Sequence, residues 1–114
     1  MLLNGGEIDG QRYLSKETCQ LFTTETSKIS RRGLGFDKPD ADDPKKGNCA
    51  PAAPAEVYGH TGFTGTCAWV DPMNELVYVF LSNRIYPDVT NRKLNQLHIR
   101  ERIQGAIYDA MKKK

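Results

Sequence analysis

The pattern of apolar and polar positions predicts one antiparallel hairpin in the second half of the chain. In residues 67–70, Cys and Trp alternate with Ala and Val, which is typical of a strand. Residues 76–81 form a near-continuous apolar run rich in β-formers, which predicts a strand buried on both faces. The Asp-Pro-Met-Asn stretch at 71–74 indicates a turn, because proline suits the second position of a type I turn. The two runs are therefore predicted to pair.

Helical spacing predicts one helix on each side of this hairpin. A short helix over 16–24 follows Ser15, which is a good N-cap residue. A long helix over 92–112 carries an apolar stripe that we expect to face the core. The stripe consists of Ile99, Ile103, Ala106, Ile107, Ala110 and Met111. His98 lies beside the stripe and is expected to be structural.

The chain before residue 37 is predicted to hold short elements. Residues 1–6 are typical of the last turn of a helix, with Gly5 or Gly6 as its C-cap. Residues 7–14 predict a short turn around an Asp-Gly pair, and residues 33–36 predict a short strand.

Residues 37–57 are charged and proline-broken, and then rich in alanine and proline. Such a composition predicts a long loop that is extended near its end. A loop of this length in a small domain is either functional or mobile, and a flexible surface loop is the simpler interpretation.

The composition fits one soluble domain with a modest core, since 39% of the 114 residues are hydrophobic and 26% are charged. The formal net charge of +2 argues against nucleic-acid binding driven by bulk electrostatics. No window is long and apolar enough to predict a membrane span.

The three cysteines do not form a recognisable metal or disulfide pattern. Cys19, Cys49 and Cys67 are widely spaced and no Cys-x-x-Cys pair occurs, which argues against a zinc site. Cys19 and Cys67 lie in apolar patterns and are predicted to be buried thiols. Cys49 lies in the Pro/Ala-rich loop and is predicted to be exposed. The sequence predicts neither a metal nor a cofactor.

Candidate chemistry is concentrated in residues 59–66, Gly-His-Thr-Gly-Phe-Thr-Gly-Thr, which lead directly into the first strand of the hairpin. Glycines at a strand edge permit close approach of another backbone, and the threonines and His60 supply hydrogen bonds and a titratable group. Two interpretations are open: a strand edge against which a substrate lies, or a bulge beside an ordinary histidine. A phosphate loop is disfavoured, because these glycines enter a strand instead of leaving one.

Gly59-His60-Thr61-Gly62 at the start of one strand, with Leu-Ser-Asn-Arg at 81–84 ending the next, resembles the serine β-lactamase and penicillin-binding-protein-like hydrolases. The resemblance is closest to the class C β-lactamase-like branch, which includes esterases and D-amino-acid peptidases, and it extends over nearly the whole chain. It implies an α+β fold, in which a small antiparallel sheet is packed with helices as the C-terminal part of a β-lactamase/transpeptidase-like fold. Residues 1–114 would then be a single partial domain.

The resemblance also implies roles for four consecutive residues. In that family a Lys-Thr-Gly or His-Thr-Gly triplet lies on the strand that flanks the active site. His60 would replace the lysine and tune the field and hydrogen bonding near the nucleophile. Thr61 would offer its hydroxyl to a substrate carboxylate or carbonyl, and Gly62 would leave room for the substrate backbone. The backbone N–H of Phe63 would be one of two oxyanion-hole donors.

The family also requires a Ser-x-x-Lys motif, whose serine attacks the carbonyl, and a Tyr-x-Asn-type motif; neither occurs in these 114 residues. Residues 13–15, Tyr-Leu-Ser, have the spacing of a variant of the second motif, but Ser15 is better explained as a helix cap. We therefore expect the nucleophile on an upstream segment and the isolated chain to be inactive. The intact parent would hydrolyse a lactam, ester or peptide through an acyl-serine, and the resemblance implies export to the periplasm or cell envelope.

A second hypothesis is a non-catalytic binding module, in which the sheet edge at 60–66 takes an added peptide strand. An open sheet edge and an apolar face without a partner also predict a homo-oligomer, formed through that edge or through an exchanged terminal helix. The partners expected are a small-molecule or peptide acyl substrate in the parent and further copies of the chain.

Overall fold

Two antiparallel sheets and three α-helices make up the part of the chain that the structure, a computed structural model, describes: residues 1–24, 27, 29–40, 42–43 and 47–112. A 3-10 turn at Leu2–Asn4 comes first. The elements that follow are β1 (Glu7–Ile8), β2 (Gln11–Arg12), α1 (Lys16–Thr23), β3 (Tyr58–Thr61), β4 (Cys67–Asp71), β5 (Leu76–Phe80), α2 (Lys93–Gln96) and α3 (Ile99–Met111). This is the α+β fold that the sequence predicts.

The N-terminal segment forms a helix end and a small hairpin. Gly5 adopts the left-handed conformation and its N–H donates to the Leu2 carbonyl, so the predicted helix end with Gly5 as C-cap is confirmed. Asp9 and Gly10 both have positive φ, which is the backbone of a two-residue turn between β1 and β2. The segment predicted only as a turn therefore pairs as two short strands.

Helix α1 begins where the sequence predicts. The Ser15 hydroxyl accepts a hydrogen bond from the Thr18 N–H at 3.0 Å, which is the N-cap arrangement. The helix buries Cys19 and ends at Thr23, one residue before the predicted boundary. The predicted role of Ser15 as a helix cap is thus confirmed.

The central sheet has the strand order β3-β4-β5, and the predicted hairpin of β4 and β5 is confirmed. Trp69 stands opposite both Gly59 on β3 and Tyr78 on β5. A Cβ atom at Gly59 would lie 2.6 Å from Cε3 of Trp69, so glycine is required for the indole to lie across the sheet. The Asp71 carboxylate closes the turn by accepting the N–H groups of Met73 and Asn74.

Three polar side chains fix α3 against this sheet. The Tyr78 hydroxyl donates to the Arg100 carbonyl at 3.1 Å, and the Tyr108 hydroxyl donates to Oδ2 of Asp71 at 2.8 Å. Oε1 of Gln104 accepts the N–H of Ala50 at 2.7 Å, which ties the helix to the loop before β3. Beneath the helix, five side chains form the core: Cys49, Val57, Cys67, Trp69 and Tyr78.

The predicted C-terminal helix over 92–112 is wrong in two respects. It is divided into α2 and α3, because His98 adopts a left-handed conformation with φ of 49°. Its predicted apolar stripe is also not the buried face: the buried residues are Arg100, Glu101, Gln104 and Tyr108, whereas Ile103 is 40% exposed. The polar hydrogen bonds set the rotation of α3 about its axis, and Ile107 is the stripe residue that packs against the core cluster.

The prediction that the second strand of the hairpin is buried on both faces is wrong within the described structure. Tyr78 points into the core, but Val77 and Val79 on the opposite face of β5 are each more than half exposed. Helix α3 and residues 47–57 cover only the Trp69 face of the sheet, so the other face remains open among the described residues.

The predicted strand over 33–36 is a tight turn, in which the Gly33 N–H donates to the Phe36 carbonyl at 3.0 Å. The strand-like pairing falls on the next residue. Asp37 exchanges both backbone hydrogen bonds with Gly59, at 2.8 and 3.1 Å, and so extends the sheet beyond β3 by one residue.

The loop over 37–57 is not a surface loop at its described ends. Asp37, Lys38, Cys49, Ala50 and Val57 are all buried. Residues 41 and 44–46 of the predicted loop lie outside the described residues.

The environment of Cys49 also differs from the prediction, because its side chain is only 2% exposed. The hydrogen bond from the adjacent Ala50 N–H to Gln104 draws this segment under α3. Burial raises the pKa of the Cys49 thiol to about 12, which makes it a poor nucleophile at neutral pH. The predicted burial of Cys19 and Cys67 is confirmed.

Candidate functional site

The site begins at the end of β3, where the chain turns back into β4. Gly62 donates its N–H to the Thr66 carbonyl at 2.7 Å, and Gly65 donates to the Gly62 carbonyl at 2.9 Å. Gly65 has φ of 91°, and a Cβ atom there would lie 2.6 Å from Oγ of Ser82. The turn therefore needs glycine for both its conformation and its close approach to the chain after β5.

The Ser-Asn-Arg motif after β5 contacts the turn that follows the His-Thr-Gly triplet. The carbonyl of Thr64 accepts the Ser82 hydroxyl at 3.0 Å and the Arg84 N–H at 2.9 Å. Arg84 also places its guanidinium 4.9 Å from the centre of the Phe63 ring. The Ser-Asn-Arg segment after β5 thus clamps the turn that follows the His-Thr-Gly triplet.

One ring nitrogen of His60 is fixed by a backbone contact. The side chain is exposed, and Nδ1 lies 2.8 Å from the Thr61 carbonyl oxygen. A carbonyl oxygen can only accept, so Nδ1 carries the hydrogen and, in the neutral ring, Nε2 holds the lone pair. This arrangement leaves the lone pair of Nε2 available to accept a hydrogen bond.

The backbone N–H of Phe63 points away from the interior of the turn. Strand β3 ends at Thr61, and Phe63 lies in the turn that the Gly65 N–H closes by donating to the Gly62 carbonyl. In a trans peptide the N–H points opposite to the preceding carbonyl, so the Phe63 N–H is directed away from Gly65. Within the described parts of the chain, the N–H of Phe63 has no hydrogen-bond partner. It is available to an acceptor outside the chain.

Thr61 and Gly62 link these two groups. Thr61 stands opposite Cys67 and is partly buried. A Cβ atom at Gly62 would collide with Oγ1 of Thr66, so closure of the turn itself requires glycine here. This reason is independent of the room for a substrate that the resemblance implies.

Sequence reasoning named His60, Thr61, Gly62 and Phe63, and the structure places all four at one end of β3. It assigned no role to Arg84, although the Ser-Asn-Arg motif was the available signal. Across the described residues, no three His, Cys, Asp or Glu side chains converge as a metal site would require.

Comparison with known proteins identifies the class to which this fold and site belong. The model of the Beta-lactamase family matches residues 1–101, so the chain belongs to that family. The resemblance seen in the sequence is thereby confirmed at the level of the family.

Several curated relatives are similar over most of the chain and carry the name D-alanyl-D-alanine carboxypeptidase. One from Escherichia coli is 33% identical over 94 residues, which is 82% of this chain and 21% of the relative. Another, from Salmonella gallinarum, is 32% identical over 95 residues, or 83% of this chain and 22% of the relative. The chain spans about a fifth of the length of these relatives. None of the described helices is long and apolar enough to cross a bilayer.

Proposed function

We propose that this chain forms one wall of an acyl-transfer site in a serine hydrolase of the Beta-lactamase family. In this proposal residues 1–114 are part of one hydrolase domain, and the acylated serine comes from a Ser-x-x-Lys segment that these residues do not contain. The substrate class is a lactam, ester or peptide carbonyl. The names of the relatives favour a peptide that ends in D-alanine.

The roles in this proposal follow the geometry of the strand edge. The free N–H of Phe63 donates to the oxyanion that forms when the carbonyl is attacked, and such a donor contributes about 10²–10³ in rate. Nε2 of His60 accepts a hydrogen bond or proton beside the nucleophile. Thr61 offers its hydroxyl to a carboxylate or carbonyl of the substrate.

The observation that carries the proposal is the unpartnered N–H of Phe63, which follows by three residues the exposed His60, whose Nδ1 lies on the Thr61 carbonyl. A structural turn alone requires neither, because the hydrogen bonds that close it come from Gly62 and Gly65. The clamp by Ser82 and Arg84 holds the turn in place, and a preorganised donor needs this rigidity.

The first experiment measures turnover of a chromogenic lactam and a nitrophenyl ester by the 114-residue chain alone. The proposal expects no turnover that a serine-directed reagent inhibits, because the nucleophile is absent from these residues. Robust inhibitor-sensitive turnover would refute the assignment of the nucleophile to another segment.

The second experiment restores the nucleophile in a chimera. In the Escherichia coli relative, this chain replaces the 94 residues that match it. Acylation of the folded chimera by a fluorescent penicillin is the readout. His60→Ala is expected to slow acylation about 100-fold. His98→Asn is the matched control, because His98 is the chain's other histidine, is exposed, and has a left-handed backbone that asparagine tolerates. Equal acylation rates for the chimera and its His60→Ala variant would overturn the role of His60.

Association of copies and export remain parts of the proposal. More than half of each of Val77 and Val79 is exposed on the open face of β5, and Leu81 follows at its end with 80% exposure. Such a face supports the proposed homo-oligomer, whereas the alternative function, a binding module, uses the sheet edge at 60–66. Light scattering across a concentration series tests this, and a monomer at every concentration would count against self-association. The relatives' names favour a parent that acts in the periplasm or cell envelope, where peptides ending in D-alanine are processed.

A further inference from the structure

The hydrogen bonds of the turn after β3 join end to end and terminate at the N–H of Phe63. The Ser82 hydroxyl donates to the Thr64 carbonyl at 3.0 Å. The peptide group that carries this carbonyl also carries the Gly65 N–H, which donates to the Gly62 carbonyl at 2.9 Å. The Gly62 carbonyl in turn shares its peptide group with the Phe63 N–H. Two peptide groups thus form a hydrogen-bond relay between the Ser82 hydroxyl and the candidate oxyanion donor.

All members of this relay point the same way. Each peptide group accepts a hydrogen bond on its oxygen and offers its N–H to the next acceptor. Hydrogen bonds in such a series polarise one another, so each accepted bond makes the following N–H a stronger donor. The Thr64 carbonyl accepts twice, because the Arg84 N–H reaches it at 2.9 Å in addition to the Ser82 hydroxyl. The relay ends at Phe63, whose N–H has no acceptor among the described residues.

Closure of the turn does not explain the Ser82 hydrogen bond. The N–H groups of Gly62 and Gly65 close the turn by themselves, and the Arg84 N–H already satisfies the Thr64 carbonyl. Ser82 is only partly buried, so water can satisfy its hydroxyl equally well. The hydroxyl nevertheless comes so close that a Cβ atom at Gly65 would lie 2.6 Å from it.

We infer that Ser82 is a positioning residue that strengthens the Phe63 N–H as an oxyanion donor through the relay. The inference rests on the proposed acyl-transfer function, because a stronger donor matters only where negative charge develops. An oxyanion donor contributes about 10²–10³ in rate, so a change of about 10–30% in its strength corresponds to about two- to eightfold. The effect falls on the acylation step and not on substrate binding, since the oxyanion forms only during the reaction.

The first test measures acylation of the chimera by a fluorescent penicillin over a range of concentrations. Ser82→Ala should lower the rate constant of acylation about two- to eightfold and leave the dissociation constant of the initial complex unchanged. Ser82→Thr keeps the hydroxyl and should restore the rate. Thr23→Ala is the matched control, because the Thr23 hydroxyl also donates to a backbone carbonyl, that of Cys19 at 2.8 Å, but lies at the end of α1. It should change neither constant.

The stretching frequency of the acyl carbonyl reports the strength of the donor directly. A hydrogen bond to a carbonyl oxygen weakens the C=O bond and lowers this frequency, so a weaker Phe63 donor raises it. With a penicillin labelled with ¹³C at the reacting carbonyl, the infrared band of the acylated chimera should move to higher wavenumber in Ser82→Ala. The band of Ser82→Thr should stay with that of the parent. A substitution that only lowered global stability would not move the band.

A further readout uses the 114-residue chain and needs no activity. In ¹H–¹⁵N spectra, Ser82→Ala should move the amide proton resonances of Gly65 and Phe63 upfield, as expected when both become weaker donors. Thr23→Ala should leave these two resonances in place. Hydrogen exchange at the Gly65 amide should stay within about threefold of the parent rate, because backbone hydrogen bonds keep the turn closed in the variant.

Three results would each overturn the inference. They are an unchanged acylation rate constant in Ser82→Ala while His60→Ala is slow, unmoved resonances of Gly65 and Phe63, and fast exchange of the Gly65 amide. The last result would mean that Ser82 only holds the turn closed. Failure of the proposed function gives a different result, in which the chimera is not acylated or loses no rate in His60→Ala. The resonances of the 114-residue chain decide the relay in that case as well.

Discussion

The hydrogen bond between Tyr108 and Asp71 offers the sharpest test of how α3 is held. Both side chains are almost fully buried, and the Tyr108 hydroxyl lies 2.8 Å from Oδ2 of Asp71. Burial raises the pKa of the Tyr108 hydroxyl, and its role as donor to the carboxylate raises it further, so the phenol is neutral at pH 7. We predict that Tyr108→Phe destabilises the chain because it leaves a buried carboxylate short of one donor.

The magnitude follows from the other partners of Asp71. A hydrogen bond to a charged group contributes about 1.5–3 kcal/mol. Asp71 keeps the side-chain amide of Asn74 on Oδ2 and two backbone N–H groups on Oδ1, so the cost falls toward the lower half of that range. We expect about 2 kcal/mol, which for a domain of this size lowers Tm by about 8 °C.

Urea unfolding followed by the fluorescence of Trp69, the single tryptophan, measures this change. Tyr13→Phe is the matched control, because the Tyr13 hydroxyl meets Gln11 at the exposed surface, and we expect a cost below about 0.5 kcal/mol. Tyr78→Phe removes a neutral bond to the Arg100 carbonyl and should cost about 1 kcal/mol. If Tyr108→Phe cost no more than Tyr13→Phe, the polar attachment of α3 would be refuted.

The remaining predictions concern pH, the glycine turn and the thiols. Burial raises the pKa of Cys49 and of Tyr78 to about 12 each, so the folded chain keeps protons that the unfolded chain loses. The free energy of unfolding should therefore fall above about pH 9, by up to about 1.4 kcal/mol per pH unit for each group. Urea unfolding at a series of pH values measures this, and a midpoint urea concentration that increases between about pH 8 and pH 11 would contradict it. Gly65→Ala should lower the free energy of unfolding in urea by about 1–3 kcal/mol. Gly10→Ala is the control and should lower it by about 1 kcal/mol, because a Cβ atom at Gly10 meets open space. Equal losses in the two variants would exclude crowding at Gly65. All three thiols should react with Ellman's reagent at least about 100-fold faster in urea than in the native chain, and fast native reaction of Cys49 would show that its segment opens.

Local signals in the sequence accounted for the hairpin and for the start of α1. The Asp-Pro turn at 71–72 and the alternation before it placed β4 and β5 opposite each other, and Ser15 marked the first residue before α1. These features depend on neighbours within a few residues, so pattern reasoning captures them. The register of the same hairpin, continued by two residues, also brings Gly65 beside Ser82, so the clamp on the candidate site was within reach of the sequence.

The orientation of α3 was beyond the reach of periodicity. The stripe that includes Ile103 is the more apolar face of the helix, yet Gln104 and Tyr108 are buried because each has a specific partner, in the loop before β3 and at the end of β4 respectively. A hydrophobic pattern cannot represent a hydrogen bond to Ala50 or to Asp71, which are distant in the sequence. Long-range pairing also explains why Asp37 was missed as the neighbour of Gly59.

The apolar positions that stay exposed carry information of their own. Val77 and Val79 on the open sheet face and Ile103 on α3 follow patterns that normally indicate burial, and the described residues do not bury them. The stretch that matches this chain is about a fifth of the curated relative from Escherichia coli, so that relative contains ample further polypeptide to cover such faces. His60 lies on the same sheet face as Val79, since both flank Ala68 in the register. Under the proposed function, whatever covers Val77 and Val79 also approaches Nε2 of His60, so the same packing that buries the apolar face would bring the nucleophile to the site.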